Sequence, residues 1–336
     1  MVTIKDVAAM ANVSTATVSR AINSPELVSD ERREAVQRAI AALNYHPNDI
    51  ARSLQKSESY VVGVLVPDIT NIFTTDVISA IGTELQQHGY AMFLAISNHD
   101  PQTEQALVNL MMEKRVAGII MLGSRRPNEE SDRLINNAAL SVPIVAIDYT
   151  NNCNLYCVRM DETLGIFKAV NYLYKLGHRR IAFINGTTSI VTHYYKNIGY
   201  VNAMTQLGLE QYIHPLTVEV SPDYAGGAKG VDMLLRGSVV PTAIVTGGDK
   251  MAIGAYYGLF DNGLRLPIDM SLVGFSGSTI SGYTTPPMTT IDQKSAYLGT
   301  LAANIVIDVC SGNTNVDRNV IIEPELLIRG SCRRIG

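Results

Sequence analysis

Thr3 to Asn23, TIKDVAAMANVSTATVSRAIN, is the stretch that decides how this chain is read. Ile4, Val7, Ala8 and Ala11 recur at helical spacing behind a Thr3 cap, with Asp6 three residues later. Asn12-Val13-Ser14 breaks that pattern, and Ser14 is a good cap for a second helix running from Thr15 to about Ile22. Val18 and Ile22 form its inner seam, which leaves Thr15, Ala16, Thr17, Ser19 and Arg20 on a small, polar and basic outer face. Such a face suits the DNA major groove. Arg pairs bidentately with guanine, Thr and Ala meet a thymine methyl, and small residues allow close approach. An ordinary helical hairpin has the same periodicity, so the pattern alone does not separate the two.

Outward from this stretch, Asn23-Ser24-Pro25-Glu26 reads as a loop, and Ser29 caps a third helix with Asp30 and Glu31 in its first turn. Ala35, Val36, Ala39, Ile40 and Leu43 give that helix an apolar stripe, and Tyr45-His46-Pro47 stops it. The cations Lys5, Arg20, Arg32, Arg33, Arg38, Arg52 and Lys56 are matched one for one by Asp6, Glu26, Asp30, Glu31, Glu34, Asp49 and Glu58. A segment without bulk positive charge would have to hold DNA through placed cations, helix N-termini and hydroxyl donors such as Thr3, Ser14 and Ser19. One copy would bind weakly, so a homodimer reading two half-sites is expected. Asp49 to Ser57, DIARSLQKS, is too short for a stable isolated helix and reads as a linker.

From Tyr60 the composition changes to alternating apolar runs and amphipathic helices. Val61–Val66, Ala91–Ile96, Gly118–Leu122 and Ile144–Ile147 read as strands, with helices near Thr75–His88, Gln102–Lys114 and Ser131–Ala139. The rhythm then restarts with strands at Ile181–Ile184, Leu216–Val220, Ala243–Thr246 and Ser271–Phe275. The expected fold is a small all-α helix-turn-helix headpiece followed by an α/β core of two Rossmann-like lobes, with a cleft at the carboxyl ends of the strands. At 336 residues, 46% hydrophobic and 17% charged, the chain has length for two or three domains. No apolar run approaches the roughly 20 residues of a membrane span, and the amino terminus has no signal-peptide pattern.

Cys153, Cys157, Cys310 and Cys332 are too scattered for a disulfide framework, and the six His form no metal spacing. No cofactor or metal is expected, and the thiols read as reduced in a cytoplasmic protein. Gly274-Phe275-Ser276-Gly277-Ser278 is one residue short of a nucleophile elbow. Gly226-Gly227-Ala228-Lys229-Gly230 lacks phosphate-loop spacing and lies in a predicted helix. The chain does not read as an enzyme. The rival from another class is a periplasmic-type solute-binding protein, against which residues 3–57 speak.

TIKDVA and NVSTATVSRAIN, followed by VVGVLVPDITNIF, Gly177-His178-Arg179-Arg180-Ile181, GGDKMAIGA, DMSLVGF, PPMTTI and LLIRGS, resemble the lac repressor (LacI/GalR) family of bacterial transcription regulators along essentially the whole chain. The resemblance implies a headpiece over 1–46, a hinge helix and linker over 47–59, and an effector-binding and dimerisation core over 60–336. It divides the core into lobe 1, about 60–161 and 293–322, and lobe 2, about 162–292 and 323–336. The implied DNA contacts are Thr3, Ser14, Thr15, Ala16, Thr17, Ser19, Arg20 and Tyr45, with Ala51, Arg52, Leu54 and Lys56 from a hinge helix that folds on pseudo-palindromic operator DNA and wedges Leu54 into the minor groove. The implied effector residues are Asp68, Asn71, Phe73, Asn98, Asp148 and Tyr149 from lobe 1, and Lys196, Asp249 and Ser276 from lobe 2.

The departures concern the pocket. Phe73 is followed by Thr74 where relatives carry an aromatic pair. Lys196 replaces an effector-anchoring Arg, Ser276 an Asp, and Gly248 an Asn. Asn71-Ile72-Phe73 and His193…Lys196…Gly199-Tyr200 resemble the catabolite-control subgroup. Asn304, in place of an Arg that would meet a phosphoserine, argues against a phosphocarrier protein as partner. ARSL and GGDKMAIGA instead resemble the purine and cytidine repressors. The expectation is a repressor of carbohydrate-uptake or catabolic genes controlled by a sugar, sugar phosphate or nucleobase, with a nucleoside-responsive or catabolite-control regulator as the alternative.

Overall fold

The computed structural model describes residues 2–45, 59–123, 129–147, 154–313 and 315–336. The chain divides into two compact units, residues 1–59 and 60–336. In the first, α1 (Ile4–Met10), α2 (Thr15–Asn23) and α3 (Asp30–Leu43) pack around Val7, Ala8, Val18, Val36 and Ala39. The Asp6 carboxylate accepts from the Thr3 N–H and the Thr3 hydroxyl, each at 2.7 Å. Those bonds hold its carboxyl below the ordinary value. Ser14 Oγ caps α2 by accepting the Thr17 N–H at 3.1 Å. Asn12 (φ 52) and Asn44 (φ 46) make the left-handed turns that end α1 and α3, a conformation Asn tolerates. Each fully buried aliphatic side chain contributes roughly 1.5–3 kcal/mol, which is how so short a domain is held.

In the second unit, β1 (Val61–Val66), β2 (Ala91–Ile96), β3 (Gly118–Leu122), β4 (Ile144–Ile147), β5 (Tyr156–Met160) and β11 (Asn319–Ile322) form one sheet in the order β11-β5-β4-β3-β1-β2, every neighbouring pair parallel. Helices α4 (Ile72–Gln87), α5 (Pro101–Glu113), α6 (Glu129–Ala139) and α11 (Ser295–Cys310) cover it. Val62, Val64 and Val66 pack with Val77, Ile81 and Leu85 of α4 and with Leu298, Ala302 and Val306 of α11. Leu65 lies in the opposite layer with Val108 and Met111 of α5. A parallel strand buried on both faces has no polar side, which is why VVGVLV is unbroken.

The other sheet contains β6 (Ile181–Asn185), β7 (Thr217–Glu219), β8 (Ala243–Thr246), β9 (Ser271–Ser276), β10 (Thr289–Asp292) and β12 (Glu325–Leu327). Its order is β12-β10-β9-β8-β6-β7, parallel except for β10 against β12. Helices α7 (Glu162–Lys175) and α8 (Val191–Gln206) bury Ile166, Leu173, Tyr200 and Met204 on one face, and α9 (Tyr224–Leu235) and α10 (Asp249–Asp261) bury Val231, Leu234, Ala255 and Leu259 on the other. The glycines of α9 are packing devices. A Cβ at Gly227 would lie 2.0 Å from the Met251 carbonyl oxygen, so α9 and α10 can approach only without it.

The chain passes between the two sheets after β5, after β10 and after β11. Lys168 of α7 pairs with Glu323 and donates to the Pro324 carbonyl at 2.8 Å, which pins the last of these passages. In each sheet the strand order reverses at the first strand, β1 or β6, which is where ligands bind in open α/β sheets. Two elements escape sequence periodicity. β5 contains Arg159, and β10 contains Thr289 and Thr290, both fully buried. Helix α4 also starts earlier than its apolar spacing suggests, because Asn71 Oδ1 accepts the Phe73 N–H at 3.2 Å. Among the described residues no helix is long and apolar enough to cross a membrane.

Candidate functional site

On α2 the inner and outer faces separate as the spacing requires. Val18 is fully buried, Thr15, Ala16 and Arg20 are exposed, and Thr17 and Ser19 are partly so. Ser14 and Thr17 are tied to each other, their hydroxyls 2.9 Å apart, so both also serve to start the helix. Thr3 likewise serves the start of α1. Tyr45 packs against the headpiece core, where its ring buries apolar area. The Arg20 guanidinium makes no hydrogen bond or ion pair to a described residue, which leaves it available to a partner. Ala51, Arg52, Leu54 and Lys56 lie outside the described residues.

A cavity of about 240 Å³ opens between the carboxyl ends of the two sheets. It is at or below the small end of the roughly 300–1,000 Å³ usual for small-molecule sites. Asp68, Asn71 and Phe73 reach it from the loop after β1 and the start of α4, and Lys196, Asp249 and Ser276 from lobe 2. Asp148 and Tyr149 lie outside the described residues. Asn98 departs from expectation. It is exposed in a left-handed turn (φ 51) and does not line the cavity. The next residue, His99 (φ 60), does so instead, with Nε2 3.6 Å from Asp68 Oδ2. Two consecutive left-handed residues rotate the chain so that position 99 faces inward.

The cleft's ionised groups are mostly engaged by the protein. Asp68 Oδ1 accepts from the Thr70 N–H, the Thr70 hydroxyl and the Asn71 N–H. Partial burial pushes its carboxyl up, but the Thr70 bonds, Lys250 and Asn71 together hold it below the usual range. Asp249 is 3% exposed, and its Oδ2 takes the Ser278 N–H at 2.8 Å and the Ser278 hydroxyl at 2.6 Å, while its Oδ1 takes the Thr290 hydroxyl at 2.7 Å. Burial raises its pKa, outweighing the Ser278 and Thr290 bonds. The residue expected to contact an effector therefore first fastens α10 to β10 and to the turn after β9. Ser276 holds that turn open at φ 146.

Lys196 is 6% exposed, donates to the Gly247 carbonyl at 3.0 Å and lies 4.3 Å from the centre of the Phe275 ring. An aromatic face and a carbonyl both stabilise an ammonium held between them. His193, one turn earlier, sits with Nδ1 2.8 Å from Asn185 Oδ1. Asn185 Nδ2 donates to the His193 carbonyl, so Oδ1 is the acceptor and the imidazole proton is on Nδ1. Burial, then Lys196, pushes the His193 pKa down to about 3, leaving a neutral ring. Lys250 Nζ reaches across the cleft to Thr70 Oγ1 at 3.3 Å.

Strand-end position is the signal that finds this site. His99, Arg159, Thr192, His193, Lys250 and Gln293 also line it and were not assigned to it from the sequence. Arg159 was hidden with its strand, and Gln293 belongs to no motif.

Residues 3–48 match the profile for bacterial regulatory proteins of the lacI family, and residues 59–330 that for periplasmic binding proteins and the sugar binding domain of the LacI family. The chain belongs to the LacI family. It is 34% identical over 336 residues to the HTH-type transcriptional repressor CytR of Escherichia coli (strain K12), covering 99% of this chain and 97% of that protein. Over 327 residues it is 34% identical to catabolite control protein A of Priestia megaterium, covering 96% of each. Its fold superposes on the lac repressor dimer bound to operator and the anti-inducer ONPF with a TM-score of 0.90, 27% identity and 99% coverage of both chains. This LacI-family chain is a DNA-binding transcription regulator with an effector-binding core, and the solute-binding reading falls because the matches extend through the headpiece.

Proposed function

We propose that two copies of this chain bind a pseudo-palindromic operator in the cytoplasm and repress the adjacent genes, without enzymatic activity, until a small molecule in the cleft changes their affinity for DNA. The observation that carries this reading is the pairing of an exposed Thr15–Arg20 face on α2 with a two-lobed cleft in one chain. The α2 face enters the major groove, with Arg20 on a base edge and Thr15, Ala16 and Thr17 at the groove floor. Leu54 wedges into the minor groove between two hinge helices. The effector acts through its differential affinity for the two lobe arrangements, and that difference sets operator affinity.

The test is fluorescence anisotropy with the DNA upstream of the chain's own gene. It is paired with a thermal-shift screen of sugars, sugar phosphates, nucleosides and nucleobases. Saturable, salt-dependent binding that one such compound modulates is the expected result. A small-molecule ligand bound by a protein that ignores DNA would overturn the reading. Leu54→Ala is expected to weaken operator binding while leaving self-association unchanged, and equal affinity for both proteins would remove the wedge.

A further inference from the structure

A second cavity, of about 470 Å³, shares no lining residue with the cleft. Lys168, Asn171, Tyr172 and Lys175 follow one another at helical spacing on α7, so one face of that helix forms a wall. Lys294, at the entry to α11, and the passage from Glu323 to Leu326 form the others. Three ammonium groups thus meet two carboxylates. Lys168 pairs with Glu323, and Lys294 Nζ lies 3.8 Å from Glu325 Oε2. The Lys168 bond, and beyond it the charge of Lys294, hold the Glu323 carboxyl below its ordinary value, so these groups act on one another as a cluster. Lys175, which is exposed, is the cation in excess. Lys294 reaches the cavity from a left-handed conformation, φ 51 and ψ 47, which a Lys adopts only at a cost. Its N–H is fixed there by Asp292 Oδ1 at 2.8 Å.

The chemistry of the walls narrows what the cavity holds. The side chains of Glu323 and Glu325 are 71% and 63% exposed, and ion pairs so open to water are weak. An anion of higher charge competes with them for the lysines, whereas a monocarboxylate would only duplicate them and a neutral polyol would leave Lys175 unmatched. A phosphate dianion brings two charges and several acceptor oxygens, and Lys is suited to it as a point charge. Asn171 and Tyr172 add neutral donors on the same wall. We propose that this cavity is a second small-molecule site and that it takes a phosphate dianion, free or as the ester of a small metabolite, with the two glutamates turning out into solvent. Its volume lies within the roughly 300–1,000 Å³ usual for such sites. An occupant would touch α7, the passage into α11 and the passage into β12 that Lys168 pins through the Pro324 carbonyl. It therefore bears on the segments that join the two sheets. The site is independent of what the cleft binds.

The test is isothermal titration of inorganic phosphate and glycerol 3-phosphate, against glycerol, into the full chain and into Lys175→Gln, Lys294→Asn and the cleft variant Lys250→Met, with hydrogen exchange followed in parallel. The phosphorylated probes should bind the parent chain and lose about tenfold in affinity in each of Lys175→Gln and Lys294→Asn. Exchange should change over residues 168–175 and 323–327. The melting temperature of Lys294→Asn should hold or rise, because Asn adopts the left-handed conformation more readily than Lys, which separates a lost site from a lost fold. Inorganic phosphate bound as tightly as the ester assigns the site to the free anion, and an ester bound more tightly assigns it to a metabolite. Affinity lost in Lys250→Met and kept in Lys175→Gln, with exchange altered only in the cleft loops, would place the anion in the cleft and overturn the inference. Equal affinity in the parent and both lysine variants, glycerol bound as well as its phosphate, or no binding of either phosphorylated probe would overturn it too. A parent chain that fails to bind operator DNA would overturn the proposed function and leave this site standing.

Discussion

The Asp249 carboxylate separates two kinds of substitution that a simple ligand role would not. Replacing it by Ala strands the Ser278 N–H, the Ser278 hydroxyl and the Thr290 hydroxyl, all buried or nearly so. Each orphaned group costs about 1–3 kcal/mol, and partial rearrangement brings the total to roughly 3–5 kcal/mol. For a domain of this size that corresponds to a fall of roughly 6–12 °C in the melting temperature. An Asn side chain there behaves differently. Its oxygen still accepts both Ser278 donors, and its amino group can donate to Thr290 Oγ1, whose proton can turn toward the Ile291 carbonyl at 3.5 Å. It also removes a charge that burial disfavours. Burial raises the pKa of Asp249 in the folded protein, so the native state holds that proton more tightly than the unfolded chain does. The contribution of Asp249 to stability therefore falls as pH climbs from the unfolded value, about 3.9, through the raised folded value. The amide of the Asp249→Asn variant does not titrate. Calorimetric melts of Asp249→Asn and the parent chain between pH 4 and 7 should consequently show the variant gaining on the parent as pH rises. An Asp249→Ala protein that melts within a degree of the parent, or a variant-to-parent difference flat with pH, would refute the reasoning.

Arg20→Ala should relax discrimination at one base pair of each half-site by about 1–3 kcal/mol while leaving the headpiece folded; competition gel shifts against single-base variants of the operator check it, and unchanged discrimination removes Arg20 from the reading face. Lys250→Met removes the bond to Thr70 across the cleft. A half-exposed contact of this kind is worth about 1 kcal/mol or less, so the melting temperature should barely move while the open population of the ligand-free chain rises by up to about fivefold. Small-angle scattering reads the opening, and an unchanged profile would show that Lys250 does not hold the lobes. Tyr257 and Phe260 on α10 are 59% and 68% exposed, an unusual outlay of aromatic surface. Phe260→Glu is expected to shift sedimentation toward monomer and to weaken operator binding with it, and sedimentation identical to the parent would place the dimer contact elsewhere.

The parts of this molecule that periodicity describes were legible, because periodicity reports which face of an element is hidden. The bounds of β1, β2, β3, β4 and β8 are those the apolar runs imply, and the inner seam of α2 through Val18 is where helical spacing puts it. Burial on both faces leaves a run of Val and Ile that nothing else in a globular chain imitates. β5 and β10 were missed for the same reason, since Arg159 and the paired threonines interrupt the run at positions where a polar side chain has found a partner or a cavity.

The cleft was legible only by type. The ends of parallel strands are where ligands bind, and the family resemblance, not the spacing, implied Asp68, Asn71 and Asp249, which line the cavity there. What position cannot give is whether a donor or acceptor is already engaged. Thr290 is 41 residues from Asp249 and Ser278 is 29, separations at which no local pattern announces a bond. The same blindness hid Gln293, which lines the cleft from an ordinary stretch of sequence.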